Sequence, residues 1–224
     1  MVALAQLGRA VPFLAANLGA AVALVFIAIP FHVSWKRGED MSVFGFTMDP
    51  VRKSIVYAAG VVLIVFPLFL GGFVLFYDVV CADSAPHWMS KLALPGFCAR
   101  WDGWGGLHAP ALGWRFFEVA FVQIAVVALP EELFFRGFIH KYCEEALPPR
   151  RRFLGGGIGW AVVISSALFA VGHLAVGLDP HRLAVFFPGL MFGWLRSATG
   201  SIFAGVIAHA ASNLLIDILN SMFF

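Results

Sequence analysis

The sequence predicts an all-α fold, a polytopic transmembrane helical bundle of about six spans. Composition is the first reason: 61% of the 224 residues are hydrophobic and 12% are charged, with a mean hydropathy of +0.88. Such values lie far outside the soluble range. The second reason is a set of charge-poor runs at Ala10–Trp35, Ser54–Tyr77, Val119–Pro130, Phe153–Leu178, Leu183–Leu195 and Ser197–Ile216. Most reach the roughly 20 residues that carry a helix across a bilayer. The third is that no stretch sustains the alternation of a strand, which argues against a barrel.

Each run takes its place from its flanks. The residues before the first run carry only Arg9 and no small-residue cleavage site, which predicts a retained span rather than a removed signal peptide. Lys36, Arg37, Arg52 and Lys53 bound the first connection, Lys141 and Arg150–Arg152 bound another, and Arg196 marks a third. The positive-inside rule puts these three in the cytoplasm and both termini outside. The segment from Asp78 to Arg115, rich in Gly, Pro and Trp, then faces outward. Cys81 and Cys98 fall within it, in a compartment that permits a disulfide; two unpaired interfacial thiols are the alternative. Cys143 falls on the reducing side.

Pro148-Pro149 stops a helix, and Gly155-Gly156-Gly157 reads as a turn, since no Lys-Ser/Thr follows to make a phosphate cradle. The run at 183–195 is short and reads as a half-buried or steeply packed helix. A net charge of +2 gives no basis for a nucleic-acid partner. The excess of arginine over lysine points to a prokaryote, hence to its inner, cytoplasmic membrane. Two regions are expected: N-terminal helices with an extramembrane loop over 1–111, and a core carrying the polar groups over 112–224.

Those polar groups are costly in lipid and need partners or a purpose. Glu131-Glu132-Leu133-Phe134-Phe135-Arg136 closes a long apolar run. Glu132 and Arg136 are i,i+4 neighbours that can pair, with His140 and Glu144 continuing the stripe. Glu131 points about 100° away from Glu132. His173 follows Phe169 by four residues in the fourth run, and His209 precedes Asn213 by four in the last. Counted along ideal helices, Glu131 and His173 stand about 25 Å from the turn that joins them, and His209 about 20 Å beyond Arg196. One layer can therefore hold all three. A carboxylate and an imidazole on one water make it nucleophilic, and an imidazole with a carboxamide can receive an oxyanion. The plainer interpretations are helix-to-helix hydrogen-bonding posts for either histidine, a structural ion pair for Glu132 and Arg136, and packing for Phe169.

With Glu-Glu-x-x-x-Arg at 131–136, Phe-x-x-x-His at 169–173 and His-x-x-x-Asn at 209–213, the chain resembles the CPBP family over about residues 112–217. That family includes the CAAX prenyl endopeptidases and bacteriocin-processing or immunity proteins. The resemblance implies a helical membrane bundle in which Glu131 and His173 activate water and His209 and Asn213 form the oxyanion site. Glu132 and Arg136 would orient the first glutamate's helix. It further implies an intramembrane endopeptidase of the glutamic type acting on a membrane-anchored protein or peptide. The chain has fewer spans than the eukaryotic prenyl endopeptidases, which directs attention to another membrane-tethered substrate, as in the myxosortase-like sorting proteases.

Three alternatives stand beside this. Glu131, His173 and His209 are a donor set suited to zinc, although the His-Glu-x-x-His signature is absent. A non-catalytic immunity or scaffold protein would use the same bundle. A proton-coupled carrier would also bury glutamate and histidine.

Overall fold

The computed structural model describes residues 17–94, 96–110 and 113–224. Its principal elements are helical, as the apolar runs predict. They are α1 (Leu18–Arg37), α2 (Val51–Val80), a continuous helical run α3 (114–146), α4 (Trp160–Gly177), α5 (Phe186–Thr199) and α6 (Phe203–Phe223). Three of them, α1, α2 and α6, are long and apolar enough to cross a membrane. The apolar stretch of α4 is shorter. The predicted first span begins outside the described residues, and α1 is its described part.

Local chemistry sets the ends. α1 stops at Gly38, whose φ of 62° is the left-handed conformation that glycine adopts without penalty. Lys36 and Arg37 fill its last turn, where cations suit the helix dipole. α5 has 14 residues, about 21 Å at the helical rise, in keeping with the short run that encodes it. α3 alternates α and π geometry: Gln123–Ala128 and Leu133–Ile139 are π, and they flank the short α segment Leu129–Glu132. Pro130 lies in that segment without an amide hydrogen to donate, and π turns absorb such a gap.

One stretch departs from the sequence expectation. The start of the fourth apolar run is a hairpin rather than helix, with β1 (Arg151–Phe153) antiparallel to β2 (Gly156–Ile158) and Phe153 opposite Gly156. Leu154 and Gly155 both take positive φ, 46° and 79°, as a two-residue type I′ turn requires. The Trp194 indole donates to the Phe153 carbonyl at 2.9 Å, and a Cβ on Gly156 would collide with that ring. The climb to His173 therefore counts from Trp160, about 20 Å, not from Gly156.

The described residues divide into two compact units, one running to Ala59 and resuming at Phe121–Ala210, the other Gly60–Ala120 with Ala211–Phe224. In the first, the connection after α1 folds inward. Asp40 caps a 3-10 turn, Met41–Phe44, by accepting from the Ser42 amide at 2.7 Å. Phe44 is fully buried in a cluster with Ala128, Leu133, Ile202, Val206 and Ala210. The Gly45 carbonyl accepts from the Ile202 amide at 2.9 Å, and the Arg196 guanidinium occupies the space that a Gly45 side chain would need. Tyr57 donates to the Leu154 carbonyl at 3.0 Å. The three basic connections thus gather at one end of this unit.

The second unit is organised by aromatic rings and a disulfide. Cys81 and Cys98 are bonded to each other. Tyr77, Phe97, Trp101 and Phe224 pack ring against ring beside them. The Trp101 indole donates to Asp78 at 2.9 Å.

The inward fold of the first connection has a measurable dependence. A Cβ at Gly137 would fall 2.7 Å from the Phe44 carbonyl, whereas one at Gly60 meets nothing within 4 Å. Gly137→Ala is expected to cost about 1–3 kcal/mol through overpacking, read as a lower unfolding temperature in detergent. Gly60→Ala should leave that temperature unchanged or slightly raised.

Candidate active site

The site starts from the carboxylate pair on α3. Glu132 is fully buried, and its Oε1 lies 3.1 Å from Arg136 Nη1 one turn on. That charge pair is not self-contained. The same oxygen lies 3.0 Å from His209 Nδ1 on α6, so one carboxylate ties two helices together. A carboxylate oxygen only accepts, so Nδ1 of His209 carries the hydrogen. His209 Nε2 is thereby turned toward Glu131, with Oε2 at 3.7 Å, beyond direct hydrogen-bond reach.

Arg136 is held from several sides. Its Nη2 donates to the Gly189 carbonyl of α5 at 3.3 Å. Its guanidinium carbon lies 4.2 Å from the Phe169 ring centre and 5.4 Å from that of Phe192, cation–π distances that stabilise a buried guanidinium. Phe169 does more than pack. It stands edge-on to both His173 and His209, at centroid distances of 4.4 and 5.7 Å, while Phe192 stacks on His209 at 4.9 Å.

His173 has its tautomer set by its own helix. Nδ1 lies 3.1 Å from the Phe169 carbonyl. A carbonyl accepts only, so Nδ1 donates and the neutral ring keeps its lone pair on Nε2. Glu131 and His173 line one cavity of about 340 Å³, walled otherwise by apolar groups of α1, α3 and α4 and by Arg182. Oε2 of Glu131 has no hydrogen-bond partner among the described residues. A carboxylate and an imidazole thus meet at one cavity.

The structure brings Glu131, Glu132, Arg136, Phe169 and His209 into direct contact and sets His173 beside Phe169 on the same cavity as Glu131. Asn213 lies one turn beyond His209 on α6, half-buried. Phe192, Gly189 and Gly205 also take part. Phe192 carries no polar signal at all. Gly189 and Gly205 stand among the small residues expected to let helices approach, yet each serves a particular side chain. A Cβ on Gly205 would fall 2.7 Å from Glu132 Oε2, and one on Gly189 would fall 3.1 Å from Arg136 Nη2.

Among the described residues no three His, Cys, Asp or Glu side chains converge in an arrangement able to hold a metal ion. Both ring nitrogens of His209 face carboxylates, and His173 Nδ1 is taken by a carbonyl.

Because Glu132 neutralises a fully buried guanidinium, Glu132→Gln leaves that charge uncompensated. The expected cost is about 3–5 kcal/mol, seen as a large fall in unfolding temperature. Glu131→Gln, at a carboxylate not paired with Arg136, should shift that temperature far less.

Residues 113–215, the span from the start of α3 to the middle of α6, match the family model described as type II CAAX prenyl endopeptidase, Rce1-like. Neither the curated proteins nor the solved structures yield a match. The matched span contains Glu131, Glu132, Arg136, Phe169, His173, His209 and Asn213 in one stretch. Over these residues, a little under half of its length, the chain is similar to the type II CAAX prenyl endopeptidases.

Proposed function

We propose that this protein hydrolyses a peptide bond of a membrane-anchored protein or peptide by a glutamate- and histidine-activated water, without a metal. The observation that carries this is the one cavity that Glu131 and His173 line together. The water donates toward Glu131 and toward His173 Nε2. As its oxygen attacks the carbonyl carbon, the proton passes to this pair. The carbonyl oxygen gathers negative charge and is received by the Asn213 carboxamide N–H and by His209, which donates from Nε2 in its doubly protonated form while Nδ1–H stays on Glu132. Collapse of the tetrahedral species breaks the C–N bond, and the held proton goes to the leaving amine.

The remaining groups position rather than react. Glu132 fixes the ring plane of His209 through Nδ1, and Arg136 fixes Glu132. Phe169 and Phe192 bracket His209 and exclude solvent from its flanks. Exclusion of water raises the strength of each charge–dipole contact in the site. The family likeness supplies the broad activity; the residue roles rest on the tautomer of His173, the cavity it lines with Glu131 and the double engagement of His209.

The sequence-level expectation of a bacterial inner membrane, and of a substrate other than a prenylated one, belongs to this proposal as well. A zinc-dependent version of the same hydrolysis would take Glu131, His173 and His209 as ligands, with His209 keeping its Nδ1 contact to Glu132. A non-catalytic immunity or scaffold protein would not need Glu131 and His173 to line one cavity.

Comparison of membrane-protein termini by mass spectrometry, with and without the active protein, identifies the cleavage. Glu131→Gln and His173→Ala are each expected to lower cleavage by about 10²–10⁴-fold while the protein stays folded. Asn213→Ala should lower it by about 10²–10³-fold. An immunity or scaffold role would survive all three. A purified protein free of metal and active in chelator supports the metal-free chemistry, and chelator-sensitive activity restored by zinc overturns it.

A further inference from the structure

We infer that Arg182 selects substrates by binding a carboxylate on the part of the polypeptide that emerges on the non-cytoplasmic side of the membrane, close to the cleaved bond. This rests on the proteolytic function proposed above and assigns a residue outside the family's three motifs. The cavity of Glu131 and His173 is apolar apart from those two groups and Arg182, its one cationic lining residue among the described residues. A guanidinium at the edge of an apolar cleft is complementary to a carboxylate, which it binds bidentately.

Arg182 is available for that task. It is exposed and sits in the 3-10 turn Pro180–Val185 between α4 and α5. The acidic neighbour that caps this turn, Asp179, is engaged elsewhere, accepting from the His181 amide at 3.0 Å and facing its Nδ1 at 2.8 Å. No carboxylate forms an ion pair with Arg182 among the described residues.

The side of the membrane follows from the chain's path. The cavity is lined by Leu18 in the first turn of α1, Val122 early in α3, Val176 at the end of α4, and Arg182 just beyond. These are the helix ends remote from the three basic connections. The positive-inside rule assigns those connections to the cytoplasm. A second observation agrees: α2 starts beside Arg52 and Lys53 and ends at Val80, and the next residue, Cys81, is in a disulfide. Disulfides persist on the oxidising side. Arg182 therefore meets the substrate outside the cytoplasm. An extended peptide advances about 3.3 Å per residue, so the selected carboxylate lies within the few residues next to the scissile bond.

The test uses the full-length protein in phosphatidylcholine proteoliposomes, with and without phosphatidylglycerol. The probe is a library of synthetic peptides, each with an apolar segment and varied flanking residues, and cleavage sites are read by mass spectrometry. The wild-type protein is expected to favour Asp or Glu over Asn or Gln about tenfold at one position near the cut. Arg182→Glu should reverse that preference toward Lys or Arg. Cleavage that depends on Glu131 but shows no acidic preference, or a preference unchanged in Arg182→Glu, overturns the assignment of Arg182 and leaves the protease function standing. A dependence on phosphatidylglycerol lost in Arg182→Glu, with peptide preference unchanged, overturns it in favour of a lipid headgroup. A library left uncut by the wild type, or cut equally by Glu131→Gln, removes the protease function itself.

Discussion

The fully buried charge pair between Glu132 and Arg136 is the constraint from which the core of the first unit takes its form. A guanidinium in an apolar interior must be neutralised, hydrogen-bonded and packed, or the fold pays several kcal/mol. Here α3 provides the counter-charge, α5 a carbonyl at Gly189, and the Phe169 and Phe192 rings the packing. Because Glu132 also holds His209, the solution to a solvation problem doubles as the orientation of a site residue. Stability and chemistry are joined at one carboxylate oxygen.

That coupling explains the glycines. Close approach of α5 and α6 to α3 is needed for Arg136 to reach a backbone carbonyl and for Glu132 to reach an imidazole. At Gly189 and Gly205 a methyl group would occupy the space those side chains fill. The π segments of α3 serve the same end by changing the angular spacing of side chains on either side of Leu129–Glu132. Glu131 faces the cavity while its neighbour faces the protein interior, which gives adjacent carboxylates two different surroundings. Environment rather than residue type separates their roles.

The first unit is also asymmetric from end to end. At the basic end the connection after α1 is packed inward, with Phe44 buried and Gly45 bound to Ile202. At the opposite end a cavity reaches Glu131 and His173.

The sequence alone determined the all-α membrane class, because long apolar runs without charges have no other stable form in lipid. It also marked Glu131, Glu132, Arg136, His173, His209 and Asn213, because ionisable and amide groups stand out against such a background. The hairpin at Arg151–Ile158 was hidden in an apolar run, since hydropathy carries no record of the positive φ that Leu154 and Gly155 adopt. The sharing of Glu132 between Arg136 and His209, the tautomer of His173 and the presence of Arg182 at the same cavity were decided only in the tertiary structure. Those features depend on the rotation of each helix about its axis and on contacts between residues up to 77 positions apart, which no periodicity within one helix encodes.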